Sequence, residues 1–561
     1  MLSVNGASSE HASRLNRVRP ALTALSVGVV AITVAACSGG SANTAAQPHP
    51  GGTVTFAYKQ EPVCLEAAIG GDEPQNYVAT QILDRLVSRE KDGSFKPWLA
   101  DSYTVSDDGL QYTFKLHPGV TFTDGTPFNS AAVRSNIEFW RAPATGSVNW
   151  GAALANYVET RTPDDLTAII VLSKPNSALL TYLAHPAGGI ESPKAIARGV
   201  DAECASPVGT GPFKVEKWDR QSQVSLVRND AYNWAPPQAK HQGPAYADRL
   251  IIRFISEPAT RYGALTAGEV DAIDAIPPEN FSEASSTPNF NVLNELQGGV
   301  PQQLDLNTTR APFNDIKVRQ AFLHAADVDG GVKQVFFGAF TPANAPLSPS
   351  TPDYDATYAG HYGYDVATAN RLLDEAGWTQ RDADGYRTKG GKRLTVALPV
   401  SSSGQIQASE DALYEYLQAK VKDAGFDLQI QKNPSGTAYS QRQTDWDYDL
   451  YVDYWTINTP DTLRLIYASD GLQAVGGYHN NESGFNDPNF DSIIERARLG
   501  TNDGERKQLY SQAQRILTDN ALTLPLYSFP IQVATNNDKI HDVRLDWSGV
   551  TPAFYDAYVN G

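Results

Sequence analysis

The chain has 561 residues and a formal net charge of −18. An acidic globule repels nucleic-acid phosphates, so a nucleic-acid partner is excluded on charge. Only one long apolar run exists, near the N-terminus, which excludes a polytopic membrane protein, and at about 100–200 residues per domain the rest should hold two or three domains.

Arg14, Arg17 and Arg19 lead into an apolar and small-residue run from Ala21 to Ala36. A basic head, an apolar middle and small residues before a cut define a secretory signal peptide. Cys37 follows Ala35 and Ala36 directly, which makes a bacterial lipobox. Residues 1–36 are expected to be removed and Cys37 to be acylated. The competing reading, a transmembrane anchor, needs about 20 apolar residues, more than this run supplies. Residues 37–52 are small, polar and Pro/Gly-punctuated, a flexible tether. Losing three Arg and one Glu takes the net charge from −18 to −20. The mature chain is therefore expected on the extracytoplasmic face of the cell membrane, held there by lipid.

Alternation predicts a first strand over Thr53–Tyr58, and apolar residues at helical spacing predict a helix over Tyr77–Arg89. Ser102–Val105 and Gln111–Leu116 flank Asp107-Asp108-Gly109 as a hairpin. A helix over Val133–Trp140 and strands over Leu166–Leu172 and Leu250–Ile255 follow, then a helix over Pro258–Gly268. In the second half, helices are expected over Val318–Ala326, Ala367–Ala376, Glu410–Ala424, Phe490–Arg498 and Arg506–Asn520. Strands are expected over Leu394–Val400, Phe426–Gln431 and Asp449–Asp453. Strands and helices alternate throughout, so the fold class is α/β or mixed α+β. Cys64 and Cys204 are left over from the lipobox. A pair in an oxidising compartment bridges more often than it stays free, so a Cys64–Cys204 disulfide is expected, with two buried thiols as the alternative.

Pro97-Trp98-Leu99-Ala100-Asp101-Ser102-Tyr103 through Asp107-Asp108-Gly109, then Gly119-Val120-Thr121-Phe122-Thr123-Asp124-Gly125, resembles the N-terminal fingerprint of the peptide/nickel-binding family of ABC-transporter solute-binding proteins. Pro207-Val208-Gly209-Thr210-Gly211-Pro212-Phe213, Leu265-Thr266-Ala267-Gly268-Glu269-Val270-Asp271, Pro312-Phe313-Asn314-Asp315 and Leu372-Leu373-Asp374-Glu375-Ala376-Gly377-Trp378 follow in that family's order. The resemblance covers residues 53–561. It implies a two-lobed periplasmic-binding-protein-like fold of type II. Lobe I would take 53–298, with an extra subdomain at about 88–206, and return at 531–561. Lobe II would take 299–530, with crossings near Gln297–Val300 and Tyr527–Val533. It also implies a non-enzymatic receptor that closes on a solute and hands it to permease and ATPase subunits, as a monomer and without a cofactor.

The resemblance places ligand contacts at Tyr58, Glu61 and Leu65 on the lobe I side and at Ser402, Tyr454, Trp455, Thr456, Asn458 and Asp461 on the lobe II side. Here the chain departs from dipeptide binders. Their ammonium-pairing carboxylate falls on Asn458, which brings no charge. Asp461 either substitutes for it or caps the helix from Thr462. The Arg that pairs a dipeptide's carboxylate is missing from Ser401-Ser402-Ser403-Gly404-Gln405. A zwitterion without charged partners is costly to bury. A longer or modified peptide, an opine, a metal chelate or an oligosaccharide therefore fits better than a free dipeptide. Enzyme patterns fail: there is no His-Glu-x-x-His helix and no Gly-x-Ser-x-Gly elbow. Asp382-Ala383-Asp384-Gly385 reads as a turn rather than a calcium loop, and no resident metal is expected. The competing class is a secreted glycan hydrolase, and a second alternative is a signalling receptor.

Overall fold

The computed structural model describes residues 48–560, apart from 72, 402–406 and 473–479. Cys37 and Ser402 lie outside the described residues. No helix among the described residues is long and apolar enough to cross a membrane.

Two large sheets organise the chain. A seven-stranded mixed sheet has the spatial order Phe290–Leu296, Pro530–Asn536, Ala272–Asp274, Thr53–Tyr58, Arg249–Phe254, Gln223–Arg228, Phe213–Asp219. Thr53–Tyr58 is central and runs parallel to both of its neighbours. Its two faces meet different cores: Phe56 packs with Tyr77 and Leu83, while Ala57 packs with Leu265 and Ile273. The second large sheet runs Thr341–Pro342, Thr523–Ser528, Val300–Leu306, Leu450–Trp455. A third, four-stranded sheet (Ala100–Val105, Gln111–Leu116, Thr167–Leu172, Tyr157–Asp164) packs into the same core as the first. The two lobes are thus a seven-stranded sheet with an added subdomain, and a smaller sheet flanked by helices.

Most expected elements appear within a few residues of their reading. Helices start earlier than their apolar periodicity, because a polar first turn carries no periodicity. Ser130–Arg141 begins after Asn129, whose side chain accepts from the Ala132 N–H. Pro488–Leu499 and Asp503–Asp519 begin after Asp487 and Asn502 in the same way. One element differs in kind. The helix expected over Tyr77–Arg89 runs Glu73–Ile82 and gives way to a short strand, Val87–Arg89. Between them Asp84 and Arg85 are fully buried. Asp84 accepts from Thr210 Oγ1 at 2.9 Å, Trp234 Nε1 at 3.0 Å and Tyr232 Oη at 3.3 Å, and Arg85 pairs with Asp546. These long-range polar contacts end the helix where local periodicity would continue it. The Gly209-Thr210-Gly211 turn is part of this packing: a Cβ on Gly211 would sit 2.6 Å from the Ile82 carbonyl carbon. It is scaffold. Asp382 likewise serves a turn, accepting from the Asp384 and Tyr386 N–H groups and pairing with Arg393.

Candidate functional site

The chain passes between the two large sheets twice, from Leu296 to Val300 and from Ser528 to Pro530. The crossings are hydrogen-bonded to each other, Gln297 N–H donating to Phe529 O at 2.9 Å. Gly299 sits at φ +99°, a conformation that L side chains rarely adopt, and a Cβ there would overlap the Trp455 carbonyl oxygen. Its N–H donates to Thr351 Oγ1 at 2.8 Å and its carbonyl accepts from the Ser348 N–H at 2.8 Å. The first crossing is thereby packed directly on the segment that follows the strand Leu450–Trp455.

That segment gathers four of the expected ligand residues. Tyr454 is 49% exposed and its ring lies 5.0 Å from that of Phe529, at the second crossing. Trp455 packs against the cores of both lobes. Thr456 and Asn458 are half-buried beside it. The Asn458 side chain lies against Gly298, so it faces the crossing. The Asn458 backbone carbonyl accepts from Arg89 Nη1 of lobe I at 2.6 Å. The lobes touch again at the rim, where Ser177 N–H donates to Arg498 O at 3.0 Å.

The other expected contacts go elsewhere. Leu65 is 0% exposed; with no free surface it is core, not a ligand contact. Glu61 accepts from Trp218 Nε1 and the Gln221 N–H, both at 3.0 Å, which commits it to the turn between the strands Phe213–Asp219 and Gln223–Arg228. Tyr58 is buried with its ring 4.2 Å from Tyr77. Asp461 precedes the helix Thr462–Tyr467, but its carboxylate makes no capping bond. The cap reading is therefore corrected: Asp461 is buried, 3.6 Å from Arg464 Nε, and burial pushes its carboxyl up to about 6. Cys64 and Cys204 are neighbours, with Leu65 N–H donating to Cys204 O at 2.8 Å. They are two thiols here, not the expected disulfide. A hydrogen bond to Cys204 and burial raise the Cys64 thiol well above its ordinary range.

Sequence reading missed two polar features. Asp305, Asp453 and Glu482 are buried and offer oxygens within 4.8 Å of one another. Hard oxygen donors of this kind suit calcium or magnesium. However, Gln303 Nε2 and Tyr467 Oη donate to Asp305 and Gln443 Nε2 donates to Glu482. Burial pushes Asp453 up to about 7 and Asp305 well above the carboxylate range. The cluster is a buried hydrogen-bond network on the paired strands Val300–Leu306 and Leu450–Trp455, with Glu482 beside them. The other missed feature is Arg89, which only the fold brings to Asn458. A cavity of about 230 Å³ lined by Leu323, Val328, Tyr358, His361, Leu517 and Leu524 lies inside lobe II and shares no residue with the Tyr454–Asn458 segment.

Two sheet-based lobes, joined by paired crossings and sharing a seam of exposed and half-buried aromatics, define a hinged solute-binding protein of the type II periplasmic-binding class. Residues 94–476 match the family described as bacterial extracellular solute-binding proteins, family 5, and the chain belongs to that family. It is a family of transport components, not of enzymes. The chain is 28% identical over 470 residues to the glutathione-binding protein GsiB of Escherichia coli (strain K12), covering 82% of this chain and 86% of that protein. Among solved structures, NikA from Brucella suis in complex with Fe(III)-EDTA superposes with a TM-score of 0.78 at 25% identity, covering 91% of this chain and 100% of that one. DppA from Helicobacter pylori in complex with the peptide STSA gives 0.74 at 24% identity, over 91% and 99%. The chain is thus a family 5 extracellular solute-binding protein, a transport component.

Proposed function

We propose that this protein is a lipid-anchored extracytoplasmic receptor that captures a peptide-like solute by closing two lobes, 53–298 with 531–561 and 299–530, and delivers it to an ABC permease and its ATPase as a monomer. The observation that carries this is the pair of hydrogen-bonded crossings against the Tyr454–Asn458 segment. A ligand touching both sides of such a hinge stabilises the closed form, and closure reports occupancy to the permease. The glutathione-binding relatives support a short modified peptide as the solute class. The uncharged Asn458 side chain supports the same choice over a free dipeptide. The lipobox at Cys37 supports a lipid tether.

Native mass spectrometry of the protein purified from its own host, followed by denaturation, identifies the released solute. A peptide or peptide conjugate is expected, with the Cys37 N-terminus carrying acyl chains. An empty protein that no peptide stabilises, or turnover of a glycan, would overturn the reading.

A further inference from the structure

Six arginines are buried among the described residues: Arg85, Arg89, Arg261, Arg319, Arg387 and Arg498. Four of them have a carboxylate within ion-pair distance: Asp546, Asp274, Asp374 and Glu495 in that order. Arg319 has none so close, but donates to two carbonyls, Phe313 O at 2.6 Å and Asn520 O at 3.0 Å, and feels Asp315. Arg89 stands apart. It is 3% exposed, its guanidinium makes one hydrogen bond, from Nη1 to Asn458 O, and no carboxylate among the described residues reaches it. Burial alone, with no charged neighbour against it, lowers it to about 10. The apolar part of its surroundings is the Phe95 ring, 5.7 Å away.

A buried cation without a counter-charge is among the costliest groups a fold can hold. The cost persists at a site whose counter-charge arrives from outside. The place fits that reading, because Arg89 belongs to lobe I and its one partner belongs to the lobe II segment beside the hinge. The chemistry fits too. With Nη1 engaged on Asn458, the Nε–Nη2 edge has no partner among the described residues. Neither atom is both sealed from solvent and unpaired. That edge is the side-on fork that takes a carboxylate through two parallel N–H bonds.

We propose that Arg89 is the cationic anchor of the ligand site, holding a carboxylate of the peptide-like solute across the hinge in place of the arginine missing after Val400. The assignment rests on the peptide-receptor reading above and adds the ligand's charge to it. A carboxylate on the Nε–Nη2 edge then adds a counter-charge to the Arg89–Asn458 bridge that already joins the lobes, and so couples charge recognition to closure.

The test uses the mature full-length chain and two peptide pools, tri- to pentapeptides with free C-terminal carboxylates and the same pool as C-terminal amides. Wild type, Arg89→Gln and Arg89→Lys are compared by thermal shift and then by titration calorimetry of the responding peptides. The expected result is a response to the free acids only, weakened at least about 30-fold by Arg89→Gln and partly restored by Arg89→Lys. Unliganded Arg89→Gln should melt at or above the wild-type temperature, because the change removes an uncompensated charge and retains an amide donor for Asn458 O. A lower melting temperature would mark Arg89 as structural and overturn the proposal. Equal binding of acids and amides, or unchanged binding by Arg89→Gln, would overturn the anchor and leave the peptide receptor standing. No response of wild type to either pool would overturn both.

Discussion

Asp84 shows how a single carboxyl can hold several segments. It receives donors from Thr210, Tyr232 and Trp234 while sitting beside Arg85, and burial pushes it up to about 7 despite those donors. Asp84→Ala would leave two buried donors, Thr210 Oγ1 and Tyr232 Oη, without this acceptor, while Trp234 Nε1 keeps the Thr210 carbonyl at 3.1 Å. Each such loss costs roughly 1–3 kcal/mol, so the variant is expected to lose about 2 kcal/mol or more, read as a lower urea midpoint at unchanged slope. Asp84→Asn keeps one acceptor oxygen and is expected to fall between it and wild type. Arg85 and Arg89, four residues apart, make a useful contrast. The first is buried with its partner Asp546 and serves the fold, and the second is buried without a carboxylate and is assigned to the ligand. Nothing in the local sequence separates them, since the difference lies in residues more than 350 positions away.

The hinge crossing and the Gly209–Gly211 turn are short elements whose glycines are set by close approach of backbone. Gly211→Ala pushes a methyl onto the Ile82 carbonyl, which is backbone and not a movable side-chain end. An overpacking cost of about 1–3 kcal/mol is expected in chemical denaturation, with ligand affinity little changed. Gly299→Ala, at φ +99° and against the Trp455 carbonyl, disturbs the crossing itself. Here affinity is expected to suffer along with stability. Small-angle scattering checks this: wild type should compact on adding its solute, and the Gly299 variant should compact less. Equal compaction in both would argue that the crossing from Leu296 to Val300 is not the hinge. The helices teach a related point. Asn129, Asp487 and Asn502 are legible as caps once the ends are known, yet apolar periodicity alone starts each helix late.

Across the molecule, buried carboxyl groups give stability a pH dependence with a definite sign. Glu66, Asp84 and Asp453 are held at about 8, about 7 and about 7 by burial, far above their ordinary values near 4. As pH rises the unfolded chain releases these protons first. Their contribution is therefore full below about pH 4 and is lost progressively up to about pH 8, at up to about 1.4 kcal/mol per group per pH unit. His185, lowered to about 4 by burial and Arg85, works in the opposite sense between about pH 4 and 6.5. Asp305 and Asp461 are raised by burial in the same sense, so raised acids outnumber the one lowered base; the melting temperature is expected to be higher at pH 5.5 than at pH 8.5, and Asp453→Asn is expected to shrink the difference. A flat profile, or one rising towards alkaline pH, would contradict the carboxyl assignments.

Local reading reached the class, the family and many helices and strands, because these rest on periodicity, turn glycines and strings of neighbouring residues, but it passed over Phe213–Asp219, Gln223–Arg228, Val300–Leu306, Thr523–Ser528 and Pro530–Asn536, strands that build the two large sheets. It also brought Tyr454, Trp455, Thr456 and Asn458 forward as one segment. Which polar side chains have partners became legible only in the packed fold. Glu61 is spent on a turn 157 residues away, Leu65 has no surface, and Asp461 lies under Arg464 instead of capping its helix. Asp305 and Asp453 meet across paired strands, and Arg89 reaches Asn458 across 369 positions. Burial and charge pairing are properties of the packed chain as a whole. The groups whose chemistry depends on them become visible only once distant segments are brought together.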